Sequence, residues 1–217
     1  MSSVNYKKAL LHLSKADKKL GKLIKKAGPC DLEIETKVNP YGALMRSIVY
    51  QQLHGAAAST IFGRVKALYG SQKLPTPQQI LATPDEKLRG AGLSRSKLLA
   101  IKDLSTKALE GFVPTRLKAS KMSDEDLIKQ LSEIRGIGPW TVEMLLIFYL
   151  GRLDVLPITD YGVRHGFSIL YKKKDLPKPQ ELLAYGERWR PYRSIAAWYM
   201  WRSTDMSKKP KAKVKLK

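Results

Sequence analysis

Residues 123–151 read SDEDLIKQLSEIRGIGPWTVEMLLIFYLG, and their pattern decides the fold. Ser123 followed by Asp124, Glu125 and Asp126 marks a helix start, a capping side chain with acids near the positive end of the helix dipole. Leu127, Ile128, Leu131 and Ile134 then recur at helical spacing. Gly136-Ile137-Gly138 interrupts them, and Pro139 suits the first position of a second helix, where no N–H is needed. The segment therefore predicts a helix, a glycine hairpin and a helix, with Ile134 and Ile137 plugging the apex into the core. Gly136 and Gly138 allow backbone angles that a side chain would forbid and let main-chain N–H groups come close to a ligand. With the dipole of the second helix, Gly136, Ile137, Gly138 and Thr141 form an expected anion site suited to a phosphate. A glycine turn between helices is common; the charge of the chain is what favours the phosphate.

Outward from this hairpin the periodicity stays helical and little looks like a strand, so an all-α fold is expected. Residues 4–26 place Leu10, Leu11, Leu13, Leu20, Leu23 and Ile24 among lysines, which predicts one amphipathic helix ending near Gly28-Pro29. After Asn39-Pro40, Leu44, Ile48, Ile61, Val65 and Leu68 recur at helical spacings, interrupted at residues 51–55, which predicts two helices joined by a tight turn. Thr76 and Thr83-Pro84-Asp85 look like caps of short helices, and further helices are expected at 94–110, 139–150, 160–171, 178–186 and 192–202. Along the chain this gives an N-terminal basic helix and lead-in (1–38), a helical body (39–204) with the hairpin at about 124–150, and a basic tail (205–217).

Forty Lys and Arg against 19 Asp and Glu leave a net charge of +21, and 43% hydrophobic residues suffice for a core. Eight lysines and one acid fall in residues 1–27, six lysines and one acid in 205–217, and the body keeps a surplus too. Either end reads most simply as a solvated face or tail. The surplus on the body points to a polyanion, whose counterions Lys and Arg displace. The longest apolar run, MLLIFYL at 144–150, is far short of the roughly 20 residues that span a bilayer. No secretory leader pattern opens the chain, so a soluble, unsecreted protein without membrane contact is expected. The single Cys30 excludes an internal disulfide, a four-cysteine zinc site and an iron–sulfur cluster. No phosphate-binding G-x-x-x-x-G-K-S/T, H-E-x-x-H or G-x-S-x-G motif occurs.

In LDVLPITDYGVRHG, residues 153–166, Asp160 ends an apolar loop and starts a helix, whereas Asp154 looks like an ordinary loop acid. Asp160 is either a plain N-cap or a carboxylate at the mouth of a pocket, able to stabilise positive charge developing on a deoxyribose and to orient water.

The hairpin IRGIGPWTV, the later Asp160, YQQLH at 50–54 and the ending WRPYRSIAAWYMWR at 189–202 together resemble the helix–hairpin–helix (HhH-GPD) DNA glycosylase superfamily. Within it they resemble the alkylated-base branch, the 3-methyladenine DNA glycosylases of the yeast and bacterial inducible type, from about residue 39 to 202. The resemblance implies the two-lobed helical fold of that superfamily, and the first 38 residues leave no room for the β-rich domain of larger bacterial relatives. It puts Asp160 on the catalytic aspartate. Trp140 falls where the lyase members carry a Schiff-base lysine; indole forms no imine, so a monofunctional enzyme leaving an abasic site is implied. Leu53 falls on the wedge that replaces a flipped nucleotide, with Gln52 and His54 beside it in the minor groove. Read on its own, Leu53 is equally a buried leucine at a helix junction. Trp140, Met144 and Trp201 fall on positions lining the base pocket, where aromatic faces attract cationic N3- and N7-methylated purines. Met144 stands where some relatives have an aromatic; Trp189 and Trp198 read as core packing.

The expected activity is thus base excision of alkylated purines such as 3-methyladenine and 7-methylguanine from double-stranded DNA, by a monomer. No cofactor is implied beyond a possible monovalent cation, Na+ or K+, on the hairpin carbonyls of Ile134 and Ile137. A nucleus is expected if the source is eukaryotic, and otherwise a nucleoid-associated cytoplasmic location. The alternative is a non-catalytic helix–hairpin–helix protein that binds damaged DNA.

Overall fold

The computed structural model describes residues 6–70 and 74–207, so most of the expected basic tail and the first residues of the expected N-terminal helix lie outside the described residues. All regular structure among the described residues is helical. In chain order the helices are α1 (Lys7–Ala16), α2 (Lys18–Ala27), α3 (Pro40–Tyr50), α4 (Gly55–Ala67), α5 (Pro77–Ala82), α6 (Asp85–Gly90), α7 (Arg95–Leu109), α8 (Arg116–Ala119), α9 (Asp124–Leu131), α10 (Pro139–Phe148), α11 (Tyr161–Tyr171), α12 (Pro179–Gly186) and α13 (Arg193–Ser207). Most of their starts are written locally. Asp17, Asn39, Thr76, Ser94, Thr115, Ser123 and Asp160 each cap a helix with a side-chain oxygen on a backbone N–H, a bond worth about 1 kcal/mol. Among the described residues no helix is long and apolar enough to cross a membrane.

The chain packs as two compact units. Residues 34–151 form one; residues up to 33 form the other together with those from 152 onward. This partition in space cuts across the division along the sequence, because the N-terminal helices share a unit with the C-terminal ones.

In the unit of residues 34–151, α3 is almost wholly interior, with Leu44, Met45, Ile48 and Val49 buried. Facing it, α7 contributes Leu98, Ile101 and Leu104, and Tyr41 and Ser105 share a buried hydrogen bond of 2.9 Å. The α9–α10 hairpin brings Leu127, Leu131, Ile134 and Ile137 into this core, as its spacing predicts. Each such burial contributes about 2 kcal/mol. Gly136 adopts φ +75°, and a methyl there would stand 3.1 Å from the Ala100 side chain, so glycine is required for this turn to dock on α7. Gly138, by contrast, is extended (φ −109°) and faces open space; nothing in the protein forbids a side chain there.

The other unit corrects two expectations. The single helix predicted over 4–26 is two helices, α1 and α2, broken at Asp17. Asp17 turns to extended angles and caps α2 through the Lys19 and Leu20 N–H groups at 3.0 and 3.1 Å. Its other oxygen accepts the Tyr171 hydroxyl, the Tyr185 hydroxyl (3.2 Å) and the Trp189 indole N–H (3.1 Å). Leu11, placed on the apolar stripe, is 65% exposed. Second, α13 runs to Ser207 rather than stopping at residue 202, with Thr204 donating to the Gly162 carbonyl at 3.1 Å. The crossing of α11 and α13 is set by two glycines one turn apart. A methyl on Gly162 would stand 2.7 Å from the Trp201 ring, and one on Gly166 would overlap the Met200 carbonyl. Trp189 is fully buried, as expected of a packing residue, whereas Trp198 is only half-buried.

Candidate functional site

Asp160 is the N-cap of α11: its Oδ1 accepts the Val163 N–H at 2.7 Å. The same oxygen accepts the Trp201 indole N–H at 2.8 Å. Asp160 is therefore an N-cap: the cap fixes the carboxylate at the positive end of a helix dipole, while α13 fixes it from the side. The Trp201 ring lies against Gly162 and its N–H orients the acid, while Trp201 is not among the residues lining the cavity beside Trp140 and Met144. The apolar loop before Asp160 is anchored as well. Ser194 of α13 accepts the Val155 N–H at 2.9 Å and donates to the Arg152 carbonyl at 2.7 Å. Asp154 is no ordinary loop acid: it accepts Arg193 Nε at 2.9 Å and Arg190 Nη1 at 2.6 Å, with Glu187 bridging the two arginines. Tyr161, next to Asp160, is 66% exposed and stacks on His165 with ring centroids 5.5 Å apart.

In the unit of residues 34–151, Trp140 and Met144 of α10 share the wall of an open cavity of about 440 Å³ with Arg46 and Tyr50 of α3 and Gln52 of the turn that follows. The Arg46 guanidinium lies over the Tyr50 ring at 4.4 Å. Trp140 is 42% exposed, a large apolar face that the protein's own packing leaves partly uncovered. The turn between α3 and α4 carries Gln52 at φ +56°, a left-handed angle uncommon outside glycine and typical of strained functional turns. Leu53 follows it and is 38% exposed, so it is not the buried leucine of the simpler reading; His54 is exposed too and makes no side-chain cap to α4.

At the hairpin, the Ile137 N–H is bonded to the Ile134 carbonyl at 3.0 Å and the Arg135 N–H to Asp103 at 2.8 Å. The Gly136 carbonyl accepts Gln51 Nε2 at 2.8 Å. Thr141 is buried, and its backbone N–H closes the first turn of α10 on the Gly138 carbonyl at 2.9 Å. Among the described residues no group of three or more His, Cys, Asp or Glu is placed to hold a metal ion. Burial pushes the Cys30 thiol up to about 11, which keeps it protonated and unreactive.

Residues 45–191 match the model of the HhH-GPD superfamily of base excision DNA repair proteins, a span from α3 to the residues before α13. The chain belongs to the HhH-GPD superfamily. Among curated HhH-GPD relatives it is 38% identical to DNA-3-methyladenine glycosylase 1 of Schizosaccharomyces pombe, over 92% of this chain and 88% of that one. It is 35% identical to the alkylbase DNA glycosidase-like protein mag2 of the same yeast, over 94% of this chain and 97% of that one. The solved structure of the S. pombe 3-methyladenine DNA glycosylase Mag1 in complex with abasic DNA superposes with a TM-score of 0.83 at 37% identity, covering 92% of this chain and 98% of that one. These likenesses place the chain in the alkylated-base branch of the HhH-GPD proteins, with their helical fold and, among the described residues, no sheet.

Four residues of this HhH-GPD chain matter more than its sequence suggests. Gly162 and Gly166 lie four apart on a helix, a spacing that signals close backbone approach. Asp154 has partners 36 and 39 residues away, which no local pattern reveals. Arg46 is one of many arginines until the cavity singles it out.

Proposed function

We propose that this protein is a monofunctional DNA-3-methyladenine glycosylase of base excision repair, and that it rotates alkylated purines such as 3-methyladenine and 7-methylguanine out of double-stranded DNA and hydrolyses the N-glycosidic bond. The observation that carries the reading is the carboxylate of Asp160, fixed by the Val163 N–H and the Trp201 indole N–H at the start of α11. N3- and N7-methylated purines are cations. As the bond from C1′ to the base breaks, its electron pair neutralises the base, which leaves without a general acid. Positive charge then develops on the deoxyribose, where Asp160 stabilises it and orients water; the water adds to C1′, loses a proton and leaves an abasic site. Trp140 offers an indole where an amine would be needed for an imine, so no strand cleavage follows.

The other assignments are part of the same proposal. The cavity beside Trp140 and Met144 receives the base, and its exposed indole face suits a cationic ring. Leu53 enters the vacated stack, supported by its exposure on a strained turn, with Gln52 and His54 toward the minor groove. Gly138 faces open space, as close passage of a phosphate over the start of α10 would require. Carbonyl oxygens are suitable donors for Na+ or K+, and the Ile134 carbonyl keeps a second lone pair beyond the bond to the Ile137 N–H; such a cation would add positive charge toward the same phosphate. Along the sequence we keep the division into a basic lead-in, a helical body and a basic tail; the protein acts as a monomer, in the nucleus if its source is eukaryotic and otherwise in the cytoplasm with the nucleoid.

The test is base release from methylated duplex DNA, with free bases identified and the product strand heated in alkali. Free methylpurine with strand breakage only after alkali is expected. Tight binding with no base released, across several lesions, would replace the enzyme with a non-catalytic damage-binding protein.

A further inference from the structure

Lys97 stands among 40 Lys and Arg, and in so basic a chain its default reading is a phosphate contact. The geometry gives it other work. It lies half-buried in the first turn of α7, where a helix dipole disfavours a cation. Its ammonium reaches instead to the far end of α3 and donates to the carbonyls of Val49 at 2.7 Å and Gln51 at 2.9 Å. These carbonyls need a partner. The Leu53 N–H, which a continuing helix would aim at Val49, turns to Tyr50 at a long 3.4 Å, because Gln52 has gone left-handed. Burial lowers the affinity of Lys97 for its proton, in keeping with an ammonium withdrawn from water. The same Gln51 donates through Nε2 to the Gly136 carbonyl at the apex of the hairpin. The turn that exposes Leu53 has little hydrogen bonding of its own, and these side chains tie it to α7 on one side and to the hairpin on the other.

We propose that Lys97 and Gln51 are positioning residues for Leu53. Lys97 holds the end of α3 so that the turn stays strained and Leu53 stays outward, and Gln51 couples that turn to the hairpin, so that wedge and phosphate grip move as one body. The inference rests on the assignment of Leu53 as the wedge and deepens it.

The experiment uses the full chain and an oligonucleotide duplex with one 7-methylguanine, either paired with cytosine or facing an abasic-site analogue, where no base pair has to be broken. Single-turnover base release and the salt dependence of DNA affinity are measured for wild type, Leu53→Ala, Lys97→Met, Lys97→Arg and Gln51→Ala. Lys97→Met is expected to slow release about tenfold on the paired lesion and less than about threefold on the unpaired one, as a defect confined to extrusion must. Lys97→Arg recovers most of the rate, Gln51→Ala shows the same pattern more weakly, and the slope of log affinity against log salt stays at the wild-type value.

A slope reduced by about 0.9 would make Lys97 a phosphate contact and overturn the proposal. So would an equal loss on both duplexes, or no loss on either. If Lys97→Met does not fold, Lys97→Arg and Gln51→Ala carry the same contrast. A wild type that releases no base sinks the glycosylase reading and this inference with it; a Leu53→Ala variant indifferent to pairing sinks the wedge while leaving the glycosylase intact.

Discussion

Asp160 and Asp17 sit in the same unit, each caps a helix, and each accepts a tryptophan indole N–H, yet they are set in different surroundings. Asp17 is 5% exposed and takes five donors, two from backbone and three from Tyr171, Tyr185 and Trp189. Asp160 is half-exposed, and a single oxygen takes both the cap and the indole. Helix α11 links them, with Asp160 at its start and Tyr171 at its last residue. A carboxylate enclosed by donors on every side is spent on holding the fold; the proposed role of Asp160 draws instead on a half-exposed carboxylate at a helix start.

The largest effect expected from breaking this contrast is Asp160→Asn. It should lower base release on the order of a thousandfold while lesion-DNA affinity and Tm hold, since the amide still caps α11 but lacks the charge. Single-turnover kinetics beside a binding curve checks it. Next is Gly166→Ala, which forces α11 away from the Met200 carbonyl and removes the frame both acids depend on. About 3 kcal/mol of stability should go, read as a fall in the urea midpoint. Asp17→Asn should cost about 2 kcal/mol with little loss of activity per folded molecule.

The pH dependence of that third variant sharpens the comparison. Burial alone would raise the Asp17 carboxyl, but the bonds from Tyr171, the Leu20 N–H, Trp189 and Tyr185 outweigh it and hold it below its ordinary 3.8. A lowered folded value means stability that is complete above the unfolded value and is lost as pH falls through the folded one. The wild-type advantage over Asp17→Asn should therefore be level from about pH 8 to 5 and shrink below about pH 4, which urea titrations at each pH would reveal. The smallest effect is Trp201→Phe. It keeps the ring and loses the N–H, for about a tenfold loss in kcat with DNA affinity little changed; a loss in KM alone would make Trp201 a wall and not a holder of Asp160.

What the sequence discloses follows from how far its causes reach. The hairpin, Asp160 and the capped starts at Asn39, Thr76, Ser94 and Ser123 are local chemistry and can be read where they stand. The break at Asp17 is hidden because the leucine spacing runs through it, and the partners that make an acid welcome there lie more than 150 residues away. Lys97 is hidden by its type, since one lysine among many carries no sign of being turned inward. Gly162 and Gly166 are hidden for a further reason: which helix they admit depends on the fold.

The enclosure of Asp17 also sets an order of assembly. Residues up to 33 are made well before the residues from 152 onward that share their unit, whereas residues 34–151 form a unit continuous in sequence. Contacts so distant in sequence close late. The enclosure of Asp17 beside α1 and α2 cannot close until Tyr171, Tyr185 and Trp189 have been made, so the start of this unit depends on its far end.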